Sequence, residues 1–184
     1  MLGTVAALAT FVLFYLSTVF ALSWATTVLG YSRQQFLLIQ LFGVVFFGIT
    51  VPLSALYADS HGRRWTLILV SVAIAVFGFA FAPLLVGGTL GAIVAVTVGL
   101  SLMGLTYGPM GTVLSELFPT SVRYTGSSLT FNLAGIFGAS LAPYIATWLA
   151  TNHGLPFVGY YLTLAAVLSL LAFLAMRETK DQPL

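Results

Sequence analysis

Charge is what this chain has least of. Only five per cent of its 184 residues are Asp, Glu, Lys or Arg, while sixty per cent are apolar. Soluble domains average about 25% charged, so a surface of this composition could not stay dissolved. Cysteine is absent, which excludes disulfides, thiolate metal sites and a cysteine nucleophile. The net charge of +2 is small and forms no basic stripe, so nucleic acid is not an expected partner. Residues 1–32 carry no charge at all. A cleavable leader has a positive start and an apolar stretch of roughly 7–15 residues, so this longer run is expected to be retained as a membrane span.

What charge there is comes in clusters. Nine of the ten charged residues fall in Asp59–Arg64, Glu116–Arg123 and Arg177–Asp181, and Arg33 is the tenth. Between them lie the charge-free runs 1–32, 34–58, 65–115 and 124–176. A membrane helix needs about 20 apolar residues. The first two runs each hold one span. The last two each hold two, divided by turn signals at Val86-Gly87-Gly88-Thr89 and at Thr151-Asn152-His153-Gly154-Leu155-Pro156. The expected fold is an all-α integral membrane domain over 1–176. Its six helices span about 4–29, 35–57, 66–86, 90–114, 127–150 and 157–176, followed by a cytoplasmic tail at 177–184. Continuous apolar runs favour helices over a barrel, whose strands would alternate.

Six spans bring both termini to one side. That side collects Arg63, Arg64, Arg123, Arg177 and Lys180, against Arg33 on the other. The positive-inside rule makes the clustered side cytoplasmic. Trp24, Tyr31, Trp65, Trp148 and Tyr160 fall near span ends, where interfacial aromatics belong.

Asp59 and Glu116 each close a span. A carboxylate at a helix C-terminus is disfavoured by the macrodipole and wants a cation, and Arg63, Arg64 and Arg123 are the cations within reach. A solvated turn with a weak ion pair explains each cluster equally well on spacing alone. Pro119 forces a break after Glu116, and Gly126 permits close packing where the fifth helix starts. Inside the spans no ionisable residue is expected. The neutral polar residues Gln40 and Asn132 should face protein or water, because an unpaired amide in lipid costs several kcal/mol. Tyr15 and Thr18, three apart, are expected to share a face. Gly104 and Gly108 form a GxxxG pair, and Pro109 releases the carbonyl of Leu105. That segment reads as a hinge or as ordinary close packing.

The stretch Ala55-Leu-Tyr-Ala-Asp59-Ser-His-Gly62-Arg63-Arg64 resembles the loop motif of the major facilitator superfamily, G-x-L-A-D-R-x-G-R-R. It matches at Ala58, Asp59, Gly62, Arg63 and Arg64 and departs at Ala55, Tyr57 and Ser60. Gly108-Pro109-Met110, then Leu114-Ser-Glu116-Leu-Phe-Pro119-Thr-Ser-Val-Arg123-Tyr-Thr-Gly126, and Leu141-Ala-Pro143 are similar to its metabolite:proton symporter branch. That branch carries shikimate, α-ketoglutarate, citrate and proline/betaine. The resemblance covers the whole chain and aligns it with helices 7–12 of twelve. It implies half of a twelve-helix carrier with a 3+3 inverted repeat.

The resemblance also implies a cytoplasmic gate of Asp59, Gly62, Arg63, Arg64, Glu116, Pro119 and Arg123, with the natural partner of Asp59 in an absent N-terminal half. It places the first, second, fourth and fifth helices around the cavity. Tyr15, Thr18, Gln40, Tyr107 and Asn132 are then either substrate contacts or interhelical glue, and Gly104, Gly108 and Pro109 a hinge. With no buried ionisable group, the proton-coupling residue is expected in the absent half. The expected partners are the bilayer, a small polar metabolite (organic acid or zwitterion), and either an N-terminal half or a second copy. The expected location is a bacterial inner membrane. No metal or cofactor is expected, since His61 and His153 lie in loops on opposite faces. No nucleophile elbow, intramembrane carboxylate pair or paired NPA turn suggests an enzyme or a water channel. The competing reading is a non-transporting membrane subunit or an inactive truncated fragment.

Overall fold

The computed structural model describes residues 1–176. The Arg177–Asp181 cluster and the 177–184 tail lie outside the described residues. Six helices long and apolar enough to cross a membrane follow one another. They are α1 (Leu2–Thr27), α2 (Arg33–His61), α3 (Arg63–Leu85), α4 (Gly88–Glu116), α5 (Arg123–Asn152) and α6 (Pro156–Ala175). No strand is present among the described residues.

Local chemistry explains the boundaries. Ser32 and Gln35 form a reciprocal capping box that starts α2. Pro156 opens α6 in the first turn, where its missing N–H costs nothing. The α2–α3 turn is a single residue, Gly62, at φ 106°, a conformation that side-chain-bearing residues avoid. That sharp turn lets α2 run to His61, four residues beyond the expected end. Asp59 therefore sits in the last helical turn. Helices α4 and α5 are also longer than expected, because Glu116, Arg123 and Asn152 are accommodated as end residues.

Two helices depart from regular geometry. Leu16–Phe20 in α1 and Ile136–Ser140 in α5 are π-helical turns. Each takes in an extra residue and disturbs the i to i−4 ladder. The one in α1 begins immediately after Tyr15, so Tyr15 and Thr18 are not simple neighbours on an α-helical face.

The main core is shared by α1, α3, α4 and α6 and is filled by Leu13, Phe20, Phe81, Leu100 and Leu162. A second cluster closes the charged end with Leu67, Met110, Leu114 and Phe173. Only 22% of the most apolar stretch of α2, and 28% of that of α5, is buried within the bundle, against 56% for α1. These two helices carry the largest unpartnered faces.

Helices α3 and α6 approach backbone to backbone. A Cβ on Gly78 would lie 2.7 Å from the Gly159 carbonyl oxygen. Beside this crossing the Thr163 hydroxyl donates to the Ala75 carbonyl at 2.9 Å. Gly159→Val should therefore wedge the two helices apart and cost about 1–3 kcal/mol. Gly48→Ala, where an added Cβ meets open space, should be neutral. Thermal unfolding of the detergent-solubilised chain measures both, and equal midpoints would contradict the packing.

Candidate functional site

The ion pairs gather at one end of the bundle. Arg63, in the first turn of α3, faces the C-termini of α2 and α4. Its Nε and Nη2 donate to Asp59 Oδ1 at 3.2 and 3.0 Å, and its Nη1 donates to Glu116 Oε1. Both carboxylates sit where a helix ends in exposed carbonyls, the unfavourable end of the dipole. One guanidinium offsets both. The environments differ sharply: the Asp59 side chain is 63% exposed and that of Glu116 only 8%. A pair as exposed as Asp59–Arg63 contributes at most about 1 kcal/mol, whereas Glu116 is held out of water.

Arg64 and Arg123, at the same end, bond to backbone carbonyls instead. Arg64 donates from Nε and Nη2 to the carbonyls of Phe173 and Leu174 at 2.8 and 2.9 Å. It thus caps the end of α6, where the last carbonyls lack helical partners. Arg123 donates to the Phe118 carbonyl at 3.4 Å and braces the α4–α5 turn that contains exposed Pro119. In the same turn a Cβ on Gly126 would lie 2.5 Å from the Phe118 ring. Among the described residues, the five charged residues expected to form one network divide into an Asp59–Arg63–Glu116 bridge and two arginines that donate to backbone carbonyls.

Within the spans, helix α2 supplies donors to its neighbours. Pro109 has no N–H to bond the Leu105 carbonyl, and the Ser54 hydroxyl of α2 donates to that oxygen. The π turn of α1 is served the same way: Gln40 Nε2 donates to the carbonyls of Ser17 and Thr18 at 3.2 and 2.6 Å. Gly108 lies at the α2–α4 contact, where a Cβ would fall 2.5 Å from the Val51 carbonyl oxygen. Gly104 faces Thr50 and the Phe47 carbonyl along the same seam. Ser169 of α6 accepts from Ala9 N–H at 3.0 Å and donates to the Val5 carbonyl at 2.8 Å. Those are two groups that an unbroken helix would pair with each other. Thr10 donates to Thr106 at 3.0 Å across α1 and α4.

The remaining polar candidates are dispersed. Thr18 and Gln40 share a groove of about 430 Å³ between α1 and α2. Tyr15 is half-buried against Phe14 and lies outside it. Tyr107 is exposed beside Phe47. Asn132 satisfies its amide on its own helix, donating to the Ser128 carbonyl at 2.8 Å, and lines a smaller hollow with Ser127, Ser128 and Gly111. Ser54 and Ser169 escaped the sequence reading. A serine in an apolar run gives no sign of which distant carbonyl it serves.

Residues 2–184 match the family described as "Sugar (and other) transporter". The inner membrane metabolite transport protein YhjE of Escherichia coli (strain K12) is 48% identical over 189 residues, covering 100% of this chain and 43% of that protein. A putative metabolite transport protein of Haemophilus influenzae is 40% identical, covering 98% of this chain and 44% of its own length. The proline/betaine transporter of Escherichia coli (strain K12) is 30% identical, over 96% of this chain and 36% of that protein. The chain thus spans less than half the length of these relatives. No solved structure matches it.

Removing the α2 donor tests its role. Ser54→Ala leaves the Leu105 carbonyl unpaired next to Pro109 and should destabilise the chain by about 1–2 kcal/mol. Ser60→Ala, at the exposed end of the same helix, should cost less than half of that. Denaturant titration in micelles, followed by tryptophan fluorescence, reads the difference.

Proposed function

The chain belongs to the sugar (and other) transporter family, and on that footing we propose that it is the C-terminal six-helix half of a secondary carrier. The cargo is a small polar metabolite, an organic acid or a zwitterion, moved by proton symport once an N-terminal half is present. The observation that carries this reading is coverage. The whole chain aligns at 48% identity with 43% of a metabolite transport protein, and six spans are half of twelve.

Three features of the chain support it. Helices α2 and α5 leave most of their apolar surface unpartnered within the bundle, as faces meant for another six-helix half would. The spans hold no ionisable residue in their interiors. Proton relays need such a group, so the coupling residue belongs to the other half. Finally, Arg63 gathers two carboxylates at the end of the bundle where the described positive charge concentrates. We assign that end to the cytoplasm of a bacterial inner membrane and the Asp59–Arg63–Glu116 bridge to the gate. Arg63 engages only Oδ1 of Asp59. The exposed remainder of that carboxylate suits the N-terminus of a helix from the other half, where a negative charge is stabilised.

Reconstitution tests the proposal. The chain is placed in liposomes alone and with the N-terminal half of the Escherichia coli relative, and uptake of labelled organic acids and proline is followed under a proton gradient. Uptake is expected only from the pair. Gradient-driven uptake by the chain alone would sink the half-carrier reading. No uptake from a correctly assembled pair would favour the non-transporting subunit. Asp59→Asn should leave insertion unchanged and lower the pair's uptake about tenfold. Unaltered uptake would reduce Asp59 to a solvated end residue.

A further inference from the structure

The groove between α1 and α2 lies at the end of the bundle away from the charge bridge, and its chemistry is two-sided. Its polar lining is Thr18, Ser23, Thr26, Arg33 and Gln40. The hydrogen bonds already made decide what each group still offers. Gln40 has committed Nε2 to the Ser17 and Thr18 carbonyls, so Oε1 is what it retains, and that atom is an acceptor. The Thr18 hydroxyl donates to the Phe14 carbonyl and that of Thr26 to Leu22. Their oxygens can now only accept.

The donor side is different. Arg33 carries five N–H groups and no acceptor. Among the described residues both carboxylates, Asp59 and Glu116, lie at the other end of the bundle. Ser23 is exposed, with a rotatable hydroxyl beside Arg33. Arg33 and Gln40 are seven residues apart on α2, two turns along one face and about 10 Å along the axis. The groove therefore runs from a cation at its mouth to acceptors at its floor. Its volume of about 430 Å³ suits a small metabolite.

We propose that this groove is a docking site for a small carboxylate that also bears an N–H or O–H donor, such as an amino acid or a hydroxy acid. Arg33 and Ser23 take the carboxylate, and Gln40 Oε1 with the Thr18 oxygen takes the donor. The assignment deepens the carrier reading and rests on it only for the ligand being cargo. It also carries a discrimination: a betaine offers a carboxylate but no N–H, and leaves the floor acceptors unpaired.

Equilibrium binding to the six-helix chain alone, with no transport step, provides the test. The chain is held in nanodiscs of neutral phosphatidylcholine. Trp65→Phe and Trp148→Phe leave Trp24, next to Ser23 on α1, as the only fluorophore of its kind. L-proline and lactate should change its fluorescence saturably. Glycine betaine and acetate, which lack the donor, should bind at least about tenfold more weakly. Arg33→Gln should weaken L-proline about tenfold or more, and Arg33→Lys should restore part of the loss.

Equal binding of all four probes, or binding indifferent to Arg33→Gln, would overturn the assignment. An Arg33-dependent response to phosphatidylglycerol in the disc, with none to the soluble probes, would give the site to a lipid headgroup instead and also overturn it. Because no partner half is involved, failed transport with intact binding removes the carrier reading and leaves the groove standing. The reverse outcome removes the groove alone.

Discussion

A backbone carbonyl released from its helical partner inside a hydrocarbon layer has no water to turn to, so another part of the protein must bond it. Much of this bundle's architecture follows from that demand. Pro109 releases one carbonyl in α4, and the π turn of α1 presents two more, of which that of Thr18 also accepts from the Ala21 N–H of its own helix. Helix α2 offers each of the three a donor, through Ser54 and Gln40. Helix α2 is thus a splint. It lies along two irregular neighbours and supplies what their own ladders lack. Close approach makes this possible. Gly104 and Gly108 carry no side chain to hold α4 away, so a hydroxyl as short as serine's can span the gap.

The same helix that braces the interior has the least burial of all six. These facts fit together. A helix that bonds its neighbours along one narrow stripe can spend the rest of its circumference on other contacts. At its charged end α2 is tied again, through Asp59 and Arg63, to α3 and indirectly to α4. A movement of α2 therefore has to trade hydrogen bonds at several levels at once.

Composition and charge spacing made the six spans legible, because those signals act over whole segments. Asp59 and Glu116 could also be read as acids at helix ends in need of a cation. Which arginine would answer could not be read. Arg63 and Arg64 are adjacent in sequence but stand about 100° apart around α3. One therefore faces α2 and α4 while the other faces α6. Pro109 announced that the Leu105 carbonyl was free, yet nothing near it named Ser54, 51 residues away. Gln40 was visible as a polar residue that needed a partner. Its partner is a π turn, which no periodicity in residues 16–20 discloses. Segment-scale properties were readable, and those that depend on rotation and register between distant helices were not.

Ser169 places the first and last spans under a shared timetable. Its hydroxyl completes the bonding of Val5, a residue that leaves the ribosome 164 residues earlier. At about 5–20 residues per second, that interval is roughly eight to thirty seconds. During it α1 waits in the membrane with this rung of its ladder unsupported by α6. Until α6 is made, Ala9 N–H and the Val5 carbonyl have only each other to bond, so what stalled synthesis forfeits is the tie between the two helices and not the rung itself.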